Sequence, residues 1–201
     1  MITIVDYGIG NLGSIKNMFN RIGVPAIIAG DLHIIGKAEK LVLPGVGDFD
    51  NAIQRINNSG LREILDRKVL RDRNPTLGIC LGMQLLTQSS EEGTLPGLGW
   101  IKAVTSRFPK IADLKVPHMG WNRVSKVRGS PICENLPDET RFYFLHSYCV
   151  HVQNREDSVL KTNYGVSFDS AIQRGNIFGA QFHPEKSHKF GMQFLKNFAS
   201  L

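Results

Sequence analysis

A length of 201 residues suffices for one domain with a substantial core, and 42% hydrophobic against 21% charged residues is an ordinary globular balance. The net charge of +6 does not mark a nucleic-acid binder, because the basic side chains are scattered and the densest run, Arg62 to Arg73, is interleaved with Glu63, Asp66 and Asp72 like a solvated helix face. Cys80, Cys133 and Cys149 are too few for a disulfide framework and lack zinc-ligand spacing, no apolar run approaches the roughly 18 residues that span a membrane, and the opening MITIVDYG has no basic leader, so a cytoplasmic chain is expected.

The first half alternates strand and helix. Ile2 to Val5 reads as a strand, and Leu12, Ile15, Met18, Phe19 and Ile22 recur at helical spacing before Gly23. Pro25 to Ala29 and Leu41 to Leu43 read as strands, the latter ending in a Pro44-Gly45-Val46-Gly47 turn. A helical pattern runs from about Phe49 to Lys68, Thr76 to Cys80 is a strand, and Gly82 to Gln88 is helical. The second half offers short strand-like runs: Arg141 to Val150, Ser158 to Thr162, Ser167 to Gln173 and Ile177 to Phe182. A helix from about Lys189 to Leu201 closes the chain. This predicts one α/β domain over residues 1–201, with a mixed, largely parallel central sheet flanked by helices and a β-rich second half.

Gly78-x-Cys80-x-Gly82 lies between a strand and a helix, the arrangement of a nucleophile elbow with cysteine in place of serine. Glycine at both flanks lets the sharp turn close, and the following helix N-terminus favours thiolate. Cys133 and Cys149 lack this context and read as core. A thiolate nucleophile wants an imidazole partner, and His183 ends a strand in Gln181-Phe-His-Pro-Glu185. Residues two apart in extended chain share a face, so Glu185 is placed to orient His183. Leu81 N–H and the Val46–Gly47 segment are the candidate oxyanion donors. The alternative reading of these residues is a buried structural cysteine and a surface histidine. A literal GxGxxG, Gly8 to Gly13, with Asp31 beyond it, keeps a second class open: a dinucleotide-binding oxidoreductase.

Together these motifs resemble the class I (triad) glutamine amidotransferases, with the flavodoxin-like fold of that family. More narrowly the chain resembles the glutaminase subunits of imidazole glycerol phosphate synthases. The narrower likeness rests on Asp6-Tyr-Gly-x-Gly-Asn11-Leu, Pro44-Gly-Val-Gly47, Val116-Pro-His-Met-Gly-Trp-Asn122, Tyr143-Phe-Leu-His-Ser-Tyr148 and Phe182-His-Pro-Glu-Lys-Ser187. The resemblance implies that Cys80 attacks the glutamine amide, His183 moves protons and Glu185 holds His183. It implies that Gln84, Glu92 and Tyr148 meet the substrate, and that Asn11, Trp121 and Lys186 face a partner. That partner would be a (β/α)₈-barrel cyclase subunit, in a heterodimer, receiving the ammonia for histidine biosynthesis. No cofactor and no metal are implied. Asp48 after PGVG and Cys149 beside HSY depart from the family pattern. They leave room for a paralogous glutaminase subunit that serves sugar modification of surface polysaccharides.

Overall fold

Ile2–Val5, all four buried, form β1, and Leu12–Arg21 form α1, which buries Ile15, Met18 and Phe19. Asn11 caps that helix by accepting the Ser14 N–H. The computed structural model describes residues 1–201. Next come β2 (Ala26–Ala29), α2 (Leu32–Gly36) and β3 (Lys40–Gly45), so Pro44 and Gly45 still belong to the strand rather than to a turn. The helical pattern read from Phe49 to Lys68 is two helices, α3 (Phe49–Asn58) and α4 (Leu61–Asp66), followed by a π turn, Arg67–Arg71. Gly60 separates them with φ +77°, a conformation open to glycine without steric cost. β4 (Thr76–Cys80) is buried throughout and leads straight into α5 (Leu81–Leu85), shorter than the run to Gln88 suggested.

The second half begins with β5 (Ser89–Ser90), β6 (Ala103–Arg107), β7 (His118–Arg123) and β8 (Ser125–Lys126). The apolar run from Arg141 to Val150 is not one strand. Ser147 divides it into β9 (Arg141–His146) and β10 (Tyr148–Val152), which enter different sheets. β11 (Ser158–Tyr164), β12 (Val166–Arg174), β13 (Ile177–Ala180) and α6 (His188–Ala199) complete the chain.

The main sheet runs β2-β1-β3-β4-β13-β12-β10-β6-β5, with β11 beside β12 and β8 beside β11. From β2 to β13 every pairing is parallel; β13–β12, β12–β10 and β10–β6 are antiparallel. The fold is therefore the mixed, largely parallel sheet that the alternation of elements predicted. Strand alternation splits the core in two. Ile2, Ile4, Val42, Leu77 and Ile79 pack with α1 and α6, whereas Val5, Leu41 and Leu43 pack with α3, α4 and α5. Each such aliphatic side chain stabilises the fold by roughly 1.5–3 kcal/mol through burial. β7 and β9 form a separate antiparallel pair, in register from His118↔His146 to Arg123↔Arg141. That pair stands over the carboxyl ends of β3 and β4, where an open α/β sheet carries its ligand site.

Candidate active site

Cys80 ends β4 with φ +55° and ψ −111°, a conformation that costs a non-glycine residue about 1–3 kcal/mol and marks functional turns. The turn closes only because its flanks lack side chains. A Cβ on Gly78 would lie 2.5 Å from Gly82 O, and one on Gly82 would lie 1.8 Å from Leu43 O. β3 is thus pressed against the elbow, with Gly45 in register beside Cys80. The sulfur is buried, 3.7 Å from Leu145 O and 3.8 Å from Gln181 Nε2. Behind it, the Tyr7 hydroxyl donates to Pro44 O; burial, and then the charge of Cys80, raise the Tyr7 hydroxyl above its ordinary range.

His183 is held by its neighbours before it meets the sulfur. Phe182 stacks on Phe142 at 3.7 Å between ring centroids and packs edge-on against Phe144 and Phe194. His183 N donates to Tyr143 O at 2.9 Å. Its Nδ1 lies 2.7 Å from Glu185 Oε1, with only 5% and 3% of the two side chains exposed. Nε2 is left to face Cys80. Burial alone would lower the imidazole, but hydrogen bonds and charge from Cys80 and Glu185 outweigh it and push His183 up to about 10. Both acidic neighbours thus favour an imidazolium at neutral pH. Cys80, His183 and Glu185 thus come together in one buried corner.

Beside the triad lies a cleft of about 290 Å³. Val46, Gly47, Leu81, Gln84, Glu92 and Tyr148 all line it with Cys80 and His183, so the oxyanion and substrate candidates share one cavity. Gln84 is buried and spends its Nε2 on Tyr148 O (3.2 Å) and Gln181 Oε1 (3.1 Å). Glu92 Oε2 accepts the Phe49 N–H at 3.2 Å, at the start of α3. Burial, with Asp48 and Asp50 nearby, raises its carboxyl above the usual range. Asp50 fixes the turn after it, accepting Thr94 N at 2.9 Å and Leu95 N at 3.0 Å.

Asn11, Trp121 and Lys186 border the same end of the sheet. Asn11 and Lys186 line a crevice shared with His183, Glu185 and Val46. Lys186 Nζ lies 5.7 Å over the Tyr143 ring, and Trp121, 43% exposed, meets that ring edge-on. Cys133 and Cys149 are core, as expected, and burial pushes their thiols up to about 12 and about 11. Sequence reasoning missed Gln181, His118 and His146. The first sits inside the quoted Gln-Phe-His-Pro-Glu motif, and the other two inside the quoted PHMGWN and YFLHSY motifs. The motif context was the available signal, but no role was legible without their partners.

An elbow cysteine, a buried His–Glu pair and a cleft at the sheet's carboxyl edge define a cysteine amidotransferase. The class-I glutamine amidotransferase family matches residues 3–200, and the chain belongs to it. It is 52% identical over 98% of both chains to the protein of Methanococcus maripaludis named imidazole glycerol phosphate synthase subunit HisH 2. It is 49% identical, over 100% of both chains, to the protein of the same name from Pseudomonas aeruginosa. A solved glutamine amidotransferase superposes with a TM-score of 0.75 at 17% identity over 100% of both chains, and PurLQS from Thermotoga maritima with 0.71 at 17% over 99% of this chain and 97% of that one. At that identity the likeness is of fold. The oxidoreductase reading of Gly8 to Gly13 falls with the family match. The cleft also opens past β3 and β4, and none of residues 8–13 lines it.

Proposed function

We propose that the chain is the glutaminase subunit of an imidazole glycerol phosphate synthase. The observation that carries this is the convergence of Cys80, His183 and Glu185 in one buried corner beside a cleft of about 290 Å³, with His183 Nδ1 2.7 Å from Glu185 Oε1. The relatives' own assignment to imidazole glycerol phosphate synthase, at about half identity over full length, points to histidine synthesis and favours it over the polysaccharide paralogue.

In this reading the Cys80 sulfur attacks the side-chain amide carbon of glutamine, and the new C–S bond pushes the carbonyl electrons onto oxygen. Leu81 N–H and the Val46–Gly47 backbone receive that oxyanion. His183, charged at rest, gives its proton to the departing nitrogen as the C–N bond breaks, and ammonia leaves. His183, now neutral, takes a proton from water, whose oxygen attacks the thioester carbon. The adduct collapses, the C–S bond breaks, glutamate is released, and the Cys80 thiolate beside a charged His183 is restored. Glu185 keeps Nδ1 protonated and Nε2 aimed at the reacting atoms throughout. Gln84, Glu92 and Tyr148 hold the substrate.

The partner is a cyclase subunit, of (β/α)₈-barrel type in a heterodimer, docked over Asn11, Trp121 and Lys186. Ammonia passes to it and is built into imidazole glycerol phosphate for histidine synthesis. No helix is long and apolar enough to cross a membrane, and a cytoplasmic setting fits the pathway. The test is Cys80→Ala in the complex. Glutamine-dependent synthesis is expected to vanish while synthesis from added ammonium salt persists. Retained glutamine-dependent synthesis, or loss of both, overturns the reading.

A further inference from the structure

A continuous line of hydrogen bonds runs from the surface of the β7–β9 pair to the Cys80 sulfur; of its members only Tyr148 and Gln84 enter the mechanism above, and Asn122, His118, His146 and Gln181 do not. It starts at Asn122. Its Oδ1 accepts Arg123 N at 2.8 Å, so its amide nitrogen points the other way, to Asn163 O at 3.0 Å and His118 Nε2 at 3.2 Å. His118 Nδ1 lies 3.0 Å from His146 Nε2, and His146 Nδ1 lies 2.7 Å from Tyr148 O.

The proton positions on this line follow from its far end. A carbonyl oxygen only accepts, so His146 carries its proton on Nδ1. Its Nε2 is then a lone pair and must accept from His118 Nδ1–H. His118 Nε2 is in turn a lone pair and accepts from Asn122. Every link points inward, and both imidazoles must be neutral, since a second proton on either would set donor against donor. Burial acts in the same direction, lowering His118 to about 4 and His146 to about 3. The rings are also clamped. His118 is stacked between Phe144 at 4.8 Å and Tyr164 at 4.0 Å.

Beyond Tyr148 O the line reaches the nucleophile. That carbonyl also accepts from Gln84 Nε2, which gives its second proton to Gln181 Oε1. With its oxygen so committed, Gln181 can turn only its Nε2–H group toward Cys80 Sγ. Gln181 is fully buried, and its backbone N–H is tied to Ser170 O at 2.9 Å. A flipped amide would face oxygen to sulfur, and Gln84 forbids the flip.

We propose that Gln181 is the fixed hydrogen-bond donor to the sulfur anion of Cys80, that Tyr148 O, through Gln84, sets the direction of its amide, and that the Asn122–His118–His146 line holds that carbonyl in place. Gln181 touches the reacting atom; His118 and His146 are positioning residues. The inference rests on Cys80 being the nucleophile. Chemically, the donor stabilises the anion that must attack, as hydrogen bonds to a charged acceptor do. The other titratable groups facing the sulfur are His183, backed by Glu185, and Tyr7 from behind the strand.

The test is the pH dependence of Cys80 alkylation by iodoacetamide in the full chain; Cys80 lines the cleft, whereas Cys133 and Cys149 are core thiols that burial pushes up to about 12 and about 11, so they contribute little background. Gln181→Met removes the donor at similar length. At pH 7 its alkylation is expected to slow about tenfold, with the profile displaced to higher pH, the scale of one lost hydrogen bond to a charged group. His118→Phe keeps the ring stack but cuts the line, and about threefold slowing is expected. His118→Gln, whose amide again donates, is expected to restore the wild-type profile. A merely structural role would lower thermal stability without moving the profile. Overlay of the Gln181→Met and wild-type profiles overturns the proposal. If Gln181→Met does not fold, nitrogen-15 NMR of the wild type decides. Neutral Nδ1–H tautomers on both rings, and a Gln181 side-chain amide signal that shifts when Cys80 is alkylated, support it; an Nε2–H tautomer on His146, or an unmoved Gln181 signal, overturns it. Cys80→Ala separates the two levels. Glutaminase activity surviving that substitution sinks the nucleophile assignment itself, whereas unmoved alkylation profiles sink only the role of Gln181.

Discussion

His183 is kept protonated by two buried neighbours, and removing either should be visible in its titration. Glu185→Gln keeps the shape and a hydrogen-bond acceptor but removes the charge 2.7 Å from Nδ1. His183 should then titrate below its present value of about 10, read by NMR, and glutaminase kcat/KM should fall roughly 10²–10⁴-fold. The stability consequence has a definite sign. A histidine held above its ordinary 6.5 stabilises the folded chain fully below that pH, and the contribution is lost as pH rises through about 10. Urea unfolding should therefore show wild type weakening between neutral pH and pH 10 more than Glu185→Gln does. Equal losses in the two proteins would mean that Glu185 does not hold the proton. The turn at Glu92 gives a second prediction at this scale. Asp50 binds Thr94 and Leu95 but does not line the cleft, so Asp50→Ala should raise KM for glutamine several-fold and leave kcat nearly intact in steady-state assays. A fall confined to kcat would contradict that division.

Among the elements, the β3–β4–α5 corner is the one with no slack. A methyl group on Gly82 meets backbone, not a mobile side chain, because Leu43 O would stand 1.8 Å away. β3 would have to move, and with it Val46 and Gly47 at its end. Gly82→Ala should lower the melting temperature by several degrees and glutaminase activity by more than about tenfold, since overpacking of a tight site costs roughly 1–3 kcal/mol and shifts backbone. Calorimetry and a glutaminase assay check both. This corner was legible in the sequence because its chemistry is local: glycines two residues either side of a cysteine, between a β-like run and a helical one. His183 and Glu185 were legible for the same reason, being two apart at a strand end. Other features depend on partners distant in the chain. Gln181 looked like one more polar residue until Gln84 fixed its amide. The break at Gly60 was hidden because periodicity continues across it, and the division at Ser147 because β9 and β10 are equally apolar. α2, at five residues, is too short to show a period.

For the molecule as a whole, the triad lies where the outward face of β7 and β9 meets the end of β3. Met119 is 66% exposed, Trp121 43%, Val46 44% and Leu145 36%, and Met119 and Leu145 are cross-strand neighbours. Apolar side chains gathered this way beside a cleft mark a docking face. The same strand that presents Leu145 outward turns its carbonyl to Cys80 Sγ, and Tyr143 O receives His183 N. A cyclase bound here would press on backbone that contacts two of the three proposed catalytic groups, so glutamine hydrolysis should be faster in the complex than in the isolated chain. Trp121 separates docking from chemistry, because it packs on Tyr143 and Arg141 and does not line the cleft. Trp121→Ala should weaken cyclase binding at least about tenfold by calorimetric titration, the scale of an exposed aromatic anchor. Whatever glutaminase rate the isolated chain has should be unchanged. If that basal rate fell as far as the affinity, the tryptophan would be acting on the pocket through β9, and the face would be part of the active site rather than its dock.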